Sequence, residues 1–452
     1  MSKPIKIKRG LNIPLKGSAE KVLVRLEKAE TYGVKPTDFP GLVPKLNVAV
    51  GDKVKAGSPL FYDKYRPEVV FSSPVSGEVV DVRRGERRVI LEVVVKADSG
   101  ETAYEDFGAA SPETLSRDEV IAKLLKAGVW PFIKQRPFGI IANPADTPKS
   151  IFISCFDTSP LAPDLDFAVQ GEEQAFQAGI DALSKLTPGK VHLGLNADFP
   201  HAKAFANAKG VEFHFFTGPH PAGNVGVQIH HIDPINKGEV VWVVNPMDVI
   251  IIGRLFLRGI YDATKVIALV GSEVIKPRYL KLISGAGIES IVKNNINTQT
   301  QVRIISGNVL TGTRVDKLGY LGFYDTMVTV IPEGNKHEFF GWIAPGINKH
   351  SASRAFLSKL IPGKRFTLDT NMHGGHRALV VTGQYEKVMP MDIYPMQLIK
   401  SILANDIDRM EQLGIYEVVE EDMALCEYVC PSKTEVQAIL RKGIDSIIKE
   451  LS

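Results

Sequence analysis

The sequence predicts a multidomain protein of mixed α/β and α+β class, with a β module first, a Rossmann-like parallel sheet second and helices last. Three observations support this. Short β-branched and aromatic runs separated by turns fill the first hundred residues. Strands alternate with helices between residues 150 and 257, and apolar residues follow a helical period from residue 391 onward. A chain of 452 residues has room for about three domains.

The composition is that of an ordinary globular protein. Hydrophobic residues make up 44% of the chain and charged residues 23%, which is typical of folded domains. The net charge of +3 does not indicate nucleic-acid binding, so no nucleic-acid partner is expected. Three cysteines are too few for a disulfide scaffold, and an iron–sulfur cubane needs about four.

No segment of the sequence predicts a membrane anchor. The first ten residues are charged and lack the apolar stretch of a signal peptide. The most apolar long segment, Val240 to Ile260, is interrupted by Asn245, Pro246, Asp248 and Arg254. A transmembrane helix needs about 18 nearly uninterrupted apolar residues, so we expect a soluble chain without one.

Residues 1–105 are predicted to form a β module. Its strands are predicted at Val22–Leu26, Leu60–Tyr62, Val69–Phe71, Glu78–Val82 and Arg88–Val95. The turns Val50–Val54, Ala56–Pro59 and Pro74–Val79 resemble those of the biotinyl/lipoyl barrel-sandwich fold. Carrier domains of that fold attach their cofactor to a hairpin lysine, here Lys64. The segment from Lys64 up to Pro74 is longer than a carrier hairpin would have, so we favour a structural module.

Residues 106–262 are predicted to form the Rossmann-like α/β domain. A capping box at Ser116 and Glu119 begins its first helix, and Gly128 ends it. The following strands and helices are predicted at Ser150–Cys155, Glu172–Leu186, Val191–Leu195, Pro200–Ala208, Val211–Phe216, Val240–Val244 and Met247–Leu257. No Gly-x-Gly-x-x-Gly motif follows a strand, and Gly223 with Gly226 fits a turn, so the phosphate-binding loop is predicted to be absent.

The remaining third is predicted to contain three regions. Residues 263–335 form a small α+β module, residues 336–390 an irregular connection and residues 391–452 a helical domain. The α+β module has strands at Lys265–Val270, Val302–Ser306, Tyr320–Phe323 and Thr326–Ile331 and a helix at Ile288–Val292. A short strand is predicted at Arg377–Thr382, and a second capping box at Ser432 and Glu435.

Two groups of side chains are candidates for a metal or redox site. The histidines His214, His220, His230 and His231, and the pair His373 and His376, fit no zinc spacing, so no metal site is predicted. Cys426 and Cys430 form a C-x₃-C pair followed by Pro431. They are either a redox pair, an incomplete metal site or small apolar residues near a helix start, and we favour the last.

Long motifs along the whole chain resemble one family. They are Ile5–Gly17, Val43–Lys45, Ser73–Gly77, Pro131–Phe132, Arg136–Phe138, Asn371–Arg377, Met389–Pro395 and Cys426–Pro431. These segments are similar to the A subunit of the Na⁺-translocating NADH:quinone reductase. The resemblance implies a peripheral subunit on the cytoplasmic face of the bacterial inner membrane. Its six-subunit complex oxidises NADH, reduces ubiquinone or menaquinone and exports Na⁺.

The resemblance also implies what this chain lacks. Related subunits, in the Rnf complex and in complex I, carry a glycine-rich flavin loop and cluster cysteines. The corresponding stretch here, Ala127–Phe132, has bulky residues where glycines would be needed. We therefore expect no cofactor on this chain, with flavins, iron–sulfur centres, NADH and quinone held by other subunits. The family's β-grasp module, of the soluble-ligand-binding type, corresponds to Val266–Pro332.

Three functional hypotheses follow. The leading one is a non-catalytic scaffold, without catalytic residues of its own, that docks on the membrane-embedded B subunit. A second places part of a quinone pocket at Phe132, Phe138, Phe156, Phe339 and Phe340, although core packing explains aromatic residues more often. The alternative is a free-standing protein that binds a small ligand through the β-grasp module.

Overall fold

The computed structural model describes residues 3–335, 338–341 and 343–451. Its first region is rich in strands, because β-branched runs alternate with tight turns. The strands are β1 (Ile5–Lys6), β2 (Glu20–Arg25), β3 (Thr31–Val34), β4 (Pro44–Leu46), β5 (Lys53–Val54), β6 (Pro59–Asp63), β7 (Arg66–Ser72), β8 (Gly77–Arg84) and β9 (Ile90–Ala97). Seven of these strands form two sheets, in the orders β3-β9-β8-β5 and β4-β6-β7. The predicted barrel-sandwich module is confirmed.

The second region alternates strands and helices, as the sequence predicts. Its elements are α1 (Arg117–Ala127), β10 (Lys134–Arg136), β11 (Ile140–Ile141), β12 (Ser150–Ser154), α2 (Leu165–Ala168), α3 (Glu173–Ser184), β13 (Lys190–Asn196), α4 (Lys203–Ala206), β14 (Glu212–Thr217), α5 (Val225–Ile232), β15 (Val241–Val243) and α6 (Pro246–Arg258). The capping box of Ser116 and Glu119 begins α1, and Gly128 ends it with a φ of 69°. Helix α5 begins where the sequence predicted only a turn.

The central sheet has the order β1-β14-β13-β12-β15-β10-β11. Its first five strands are parallel, and β10 and β11 are antiparallel additions at one edge. Helices α3 and α6 cross closely, since a Cβ atom on Gly253 would lie 1.7 Å from the carbonyl oxygen of Ala175. Helix α5 covers one face of the sheet, where its Ile229 packs against Phe152 of β12. Leu193 of β13 lies on the opposite face. The result is the predicted Rossmann-like layer.

The third region is an α+β module. Its elements are β16 (Thr264–Val270), β17 (Arg278–Ile283), α7 (Ile288–Val292), β18 (Val302–Ser306), β19 (Thr313–Val315) and β20 (Met327–Pro332). They form a sheet of order β19-β18-β20-β16-β17-β2. The N-terminal strand β2 is an edge strand of this sheet and pairs with β17, which lies more than 250 residues further along the chain. The strand predicted at Tyr320–Phe323 is wrong, because these residues form only an isolated bridge and bends.

The C-terminal region is helical. Its helices are α8 (Pro395–Leu403), α9 (Ile407–Gln412), α10 (Glu420–Val429) and α11 (Val436–Leu451). The second capping box is wrong: α11 begins after Glu435, and the Ser432 hydroxyl donates instead to the carbonyl of Ala378. The strand predicted at Arg377–Thr382 is also wrong, since the described residues there form no strand. None of the described helices is long and apolar enough to span a bilayer.

Candidate functional site

A cavity of about 360 Å³ lies beyond the carboxyl ends of β12 and β15, and we call it the switch-point cavity. These two strands are parallel neighbours, and the strand order reverses between them because β13 lies on the other side of β12. Open α/β sheets bind ligands at this kind of position. Ser154 at the end of β12 and Val243 at the end of β15 form part of its wall. The sheet topology therefore selects this cavity as the candidate site.

Four regions of the chain contribute to the wall of the switch-point cavity. Asp38 comes from the β module, Asp157 from the α/β domain, Tyr324 from the β-grasp module and Arg441 from α11. Arg441 is held by two groups. Its Nη2 lies 2.7 Å from Glu420 Oε2, and its Nη1 donates to the carbonyl of Phe138 at 3.0 Å. The site therefore depends on how the domains pack together.

The most buried charge at the cavity is the guanidinium of Arg136, which is 2% exposed. Its Nη1 donates to Asp422 Oδ2 at 2.6 Å, and its Nη2 donates to Glu421. Burial raises the pKa of the Asp422 carboxyl, although Arg136 acts in the opposite direction. Gly226 leaves room for this pair, since a Cβ atom there would lie 2.5 Å from both partners. Arg136 and Glu421 thus line the cavity with a positive and a negative group, and Asp422 holds the guanidinium in place.

Two further polar groups line the cavity, on the loops that follow β12 and β14: the half-buried Asp157 and the buried His220. Asp157 accepts hydrogen bonds from the backbone N–H of Ser159 at 2.7 Å and from its hydroxyl at 3.0 Å, and burial raises the pKa of its carboxyl. His220 Nδ1 lies 3.1 Å from the hydroxyl of Thr158. Burial lowers the pKa of His220 to about 4, so its imidazole is neutral at pH 7. The cavity can therefore offer neutral and charged hydrogen-bonding groups to a ligand.

Of the five aromatic residues predicted for a quinone pocket, Phe156, Phe132 and Phe138 lie in three different parts of the structure. Phe156 lines the switch-point cavity. Phe132 is in the core, where its ring stacks on Phe323 with 4.5 Å between centroids. Phe138 is half-buried and contacts Tyr416 with centroids 6.0 Å apart. Of these three, only Phe156 is placed to touch a ligand in the cavity.

Phe339 and Phe340 lie in the irregular region instead. Their rings contact each other with centroids 4.4 Å apart, and they are 90% and 57% exposed. The structure therefore does not gather the five aromatic residues into one pocket. A role of any of them beside quinone stays a prediction.

The segment Ala127–Phe132, expected in place of a flavin loop, is packed with large side chains. Trp130 is fully buried, its Nε1 donates to the carbonyl of Ala142 at 2.8 Å, and its ring meets Trp242 edge-on. Pro131 and Phe132 are buried beside it. A flavin loop needs open backbone N–H groups at this point, and these residues do not fit one.

The cysteines occupy buried positions. Cys426 lies within α10 and Cys430 at its end, so their predicted place near a helix start is wrong. The Tyr385 hydroxyl donates to Cys430 Sγ at 3.0 Å. Burial acts to raise the pKa of the Cys430 thiol, but hydrogen bonds from Tyr385 and Thr434 lower it overall. Burial raises the pKa of the Cys426 thiol.

Lys64 is exposed at the tip of the β6–β7 hairpin, beside Tyr65. Lys64 and Tyr65 alone join the two strands, and most of the segment from Lys64 up to Pro74 is the strand β7. Arg66 Nε donates to Asp63 Oδ2 at 3.0 Å across the turn. A structural role without a cofactor at Lys64 stays a prediction.

The histidines do not form the groups that the sequence suggested. His230 Nδ1 lies 2.8 Å from Glu417, and His231 Nδ1 lies 2.9 Å from the carbonyl of Val227. His214 instead contacts His192, which sequence reasoning missed. The available signal was the alternation of β13, which places His192 on the opposite face from Leu193.

Comparison with known proteins agrees with the domain order. Family models described as the N-terminal barrel-sandwich hybrid domain, the second α/β domain and the C-terminal domain of NqrA match residues 5–98, 115–261 and 266–317. The A subunit of the Na⁺-translocating NADH-quinone reductase from Pasteurella multocida is 40% identical over 99% of this chain and 100% of its own. The chain belongs to the NqrA family.

Other members of the NqrA family are similar in sequence to this chain over nearly its whole length. The Neisseria meningitidis serogroup A protein is 40% identical over 99% of this chain and 100% of its own. The Rhodopirellula baltica protein is 37% identical over 98% of both chains. Among solved structures, an air-oxidised NAD⁺-reducing [NiFe]-hydrogenase chain is 12% identical, covering 68% of this chain and 55% of its own with a TM-score of 0.36.

Proposed function

We propose that this chain is a cofactor-free peripheral subunit that docks, on the cytoplasmic side, against the membrane-embedded B subunit of a Na⁺-pumping NADH:quinone reductase. The complex would couple NADH oxidation and quinone reduction to Na⁺ export. Relatives matched over their full length are named as the A subunit of such a reductase. That full-length match disfavours the alternative of a free-standing small-ligand-binding protein.

The docking proposal rests on the exposed apolar side chains between residues 339 and 381. We call this range, of which the structure describes all but residue 342, the 339–381 segment. Of the 25 large hydrophobic side chains exposed in the described part of the chain, ten lie in this segment. They are Phe339, Phe340, Ile343, Ile347, Leu357, Leu360, Ile361, Met372, Val380 and Val381. Concentrated exposed apolar side chains mark protein or membrane contact surfaces.

The charge of the 339–381 segment also suits this role. It contains six Lys or Arg residues and one Asp, a net charge of +5 where the whole chain has +3. A basic surface is attracted to an acidic partner and to the anionic cytoplasmic leaflet beside it. Phe366 anchors the segment to the body: its N–H donates to Pro14 O at 2.8 Å, and its carbonyl accepts from Lys16 at 2.9 Å.

Docking can be tested with charge-introducing variants. We expect Leu360→Asp combined with Phe339→Asp to abolish co-purification with the B subunit from detergent-solubilised membranes. These side chains are 67% and 90% exposed, so neither change should lower the melting temperature. The matched control is Phe199→Asp with Leu318→Asp, at 65% and 72% exposed, which lies outside the segment. Equal co-purification of both double variants would refute docking through this surface.

The cofactor-free part of the proposal rests on the packed segment Ala127–Phe132. An absorption spectrum and an iron analysis of the isolated chain test it. We expect neither flavin absorption nor stoichiometric iron. One equivalent of either would refute a cofactor-free subunit while leaving docking untouched.

The switch-point cavity favours a second candidate function, a quinone-adjacent role. Phe156 gives its wall an aromatic surface, and Arg136 and His220 supply polar groups for a carbonyl oxygen. A photoreactive ubiquinone or menaquinone analogue in the assembled complex tests this. Labelling of the peptide that contains Phe156 would support the role, and labelling confined to other subunits would refute it.

A further inference from the structure

Two neighbouring strands bring together three side chains that can bind a metal ion. His192 Nδ1 on β13 lies 2.9 Å from His214 Nε2 and 3.6 Å from Glu212 Oε2, both on β14. All three donor atoms lie within 4.8 Å of one another. Ligands held about 2.0–2.2 Å from a tetrahedral zinc are about 3.3–3.6 Å apart. The three atoms can therefore reach one zinc ion with small side-chain movements.

The register of the sheet explains why the two imidazoles meet. His192 is paired with Glu212, and His214 is paired with Gly194. Since Gly194 has no side chain, the ring of His214 can lean toward His192. Gln228 of α5 fills the space over Gly194, where a Cβ atom would lie 2.0 Å from its Oε1. The backbone pairing and the helix together fix the position of both rings.

One side of the cluster is closed and the other is open. His192 is 6% exposed, and the ring of Phe152 stacks on it with 4.5 Å between centroids. The side chain of Glu212 is 45% exposed, so an ion can enter from solvent past it. A metal site requires such an entry path together with oriented ligands.

The ion pair of Glu212 leaves one of its carboxylate oxygens for a metal ion. Glu212 Oε1 lies 3.0 Å from Lys190 Nζ, while its Oε2 is directed at His192. The carboxylate can keep its ion pair with Lys190 and still offer one oxygen.

We propose that His192, Glu212 and His214 form a site for a divalent transition metal ion, with Zn²⁺ as its occupant. Two imidazoles and one carboxylate are the protein ligands of zinc sites that keep a fourth position for water or an external ligand. On binding, the proton that the two rings share moves to an outward ring nitrogen, so no net proton is released. None of the three residues lines the switch-point cavity or belongs to the 339–381 segment. The proposed function excludes flavin and iron centres, so a zinc site is independent of it.

The full-length chain, stripped with a chelator, can be titrated with Zn²⁺ by calorimetry and with Co²⁺ by visible absorption. We expect one equivalent of each ion and the intense absorption bands of tetrahedral Co²⁺. Glu212→Gln and His214→Gln should each weaken Zn²⁺ binding by at least about 100-fold, since loss of an outer partner alone costs about 10–100-fold. Zn²⁺ should also raise the melting temperature of the unaltered chain.

The matched control is His231→Gln, which removes an exposed histidine of α5 outside the cluster and should leave both titrations unchanged. Glu212→Gln is a surface change that keeps the strand, so the test stands if His214→Gln does not fold. Binding below one equivalent, or an affinity that Glu212→Gln leaves unchanged, would indicate an adventitious ion only and overturn the proposal.

Discussion

Arg136 and Asp422 are 286 positions apart in the chain and form a buried ion pair, with Nη1 of Arg136 2.6 Å from Oδ2 of Asp422. The pair joins β10 of the central sheet to α10 of the C-terminal domain at the wall of the switch-point cavity. Both side chains are at most 3% exposed, so neither charge is compensated by water. The cavity is therefore shaped by a contact that couples two domains.

Asp422→Ala should lower the stability of the chain by about 3 kcal/mol, because it leaves the buried guanidinium of Arg136 without its fully buried partner. A lower urea concentration at the unfolding midpoint would show this. The matched control is Glu421→Ala, whose side chain is 39% exposed and also pairs with Arg136. Its expected cost is under about 1 kcal/mol. Similar midpoints for the two variants would contradict this account.

Protonation of His220 should destabilise the fold as the pH falls from 6.5 toward 4. Its pKa is about 4 in the folded chain and about 6.5 when exposed. The unfolded chain therefore binds more protons in this window, and stability is lost as the pH decreases. His220→Asn should flatten the pH dependence of the melting temperature between 6.5 and 4. The exposed His376→Asn is the control, and an equal flattening there would contradict this assignment.

Gly253→Ala should destabilise the α/β domain, since the added Cβ would lie 1.7 Å from the carbonyl oxygen of Ala175 and force α3 and α6 apart. Overpacking of this kind costs about 1–3 kcal/mol or more. Thermal unfolding measures the loss. Gly100→Ala is the matched control, with no heavy atom within 4 Å of the added Cβ. A melting temperature unchanged in both variants would refute the close helix crossing.

The three thiols should be unreactive in the native chain. Cys155, Cys426 and Cys430 are each at most 1% exposed, and a thiol must be accessible as well as ionised to react. Ellman's reagent should therefore detect about three equivalents only after denaturation. A fast equivalent in the native chain would instead indicate an accessible Cys430, whose pKa is lowered.

Local signals in the sequence were sufficient for elements that depend on nearby residues. The capping box at Ser116 and the left-handed Gly128 define α1 without help from distant contacts. The sequence does not predict the start of helix α5, because Gly223 and Gly226 are typical of a turn. Gly226 instead makes room for Arg136 and Asp422, a requirement that only the folded chain reveals. The strand expected at Arg377–Thr382 failed because a β-branched run needs a partner strand.

The candidate sites were less predictable than the fold. Phe156 is a candidate from the sequence and lines the switch-point cavity, but no pattern in the sequence indicates that Arg136 lines the same cavity and pairs with Asp422. Likewise, the sequence indicates His214 but not His192 as a candidate metal ligand, because the two residues become neighbours only through the pairing of β13 with β14. Ligand clusters built across strands leave no fixed spacing in the chain.

Long motifs, periodicity and local caps are enough to predict the family, the order of the domains and most helices and strands of this chain. Only folding brings distant residues together: it forms the Arg136–Asp422 pair, the cluster of His192, Glu212 and His214, and the attachment of β2 to the β-grasp sheet. Strand pairing and burial act between residues that are far apart in the chain, and no local pattern encodes their partners.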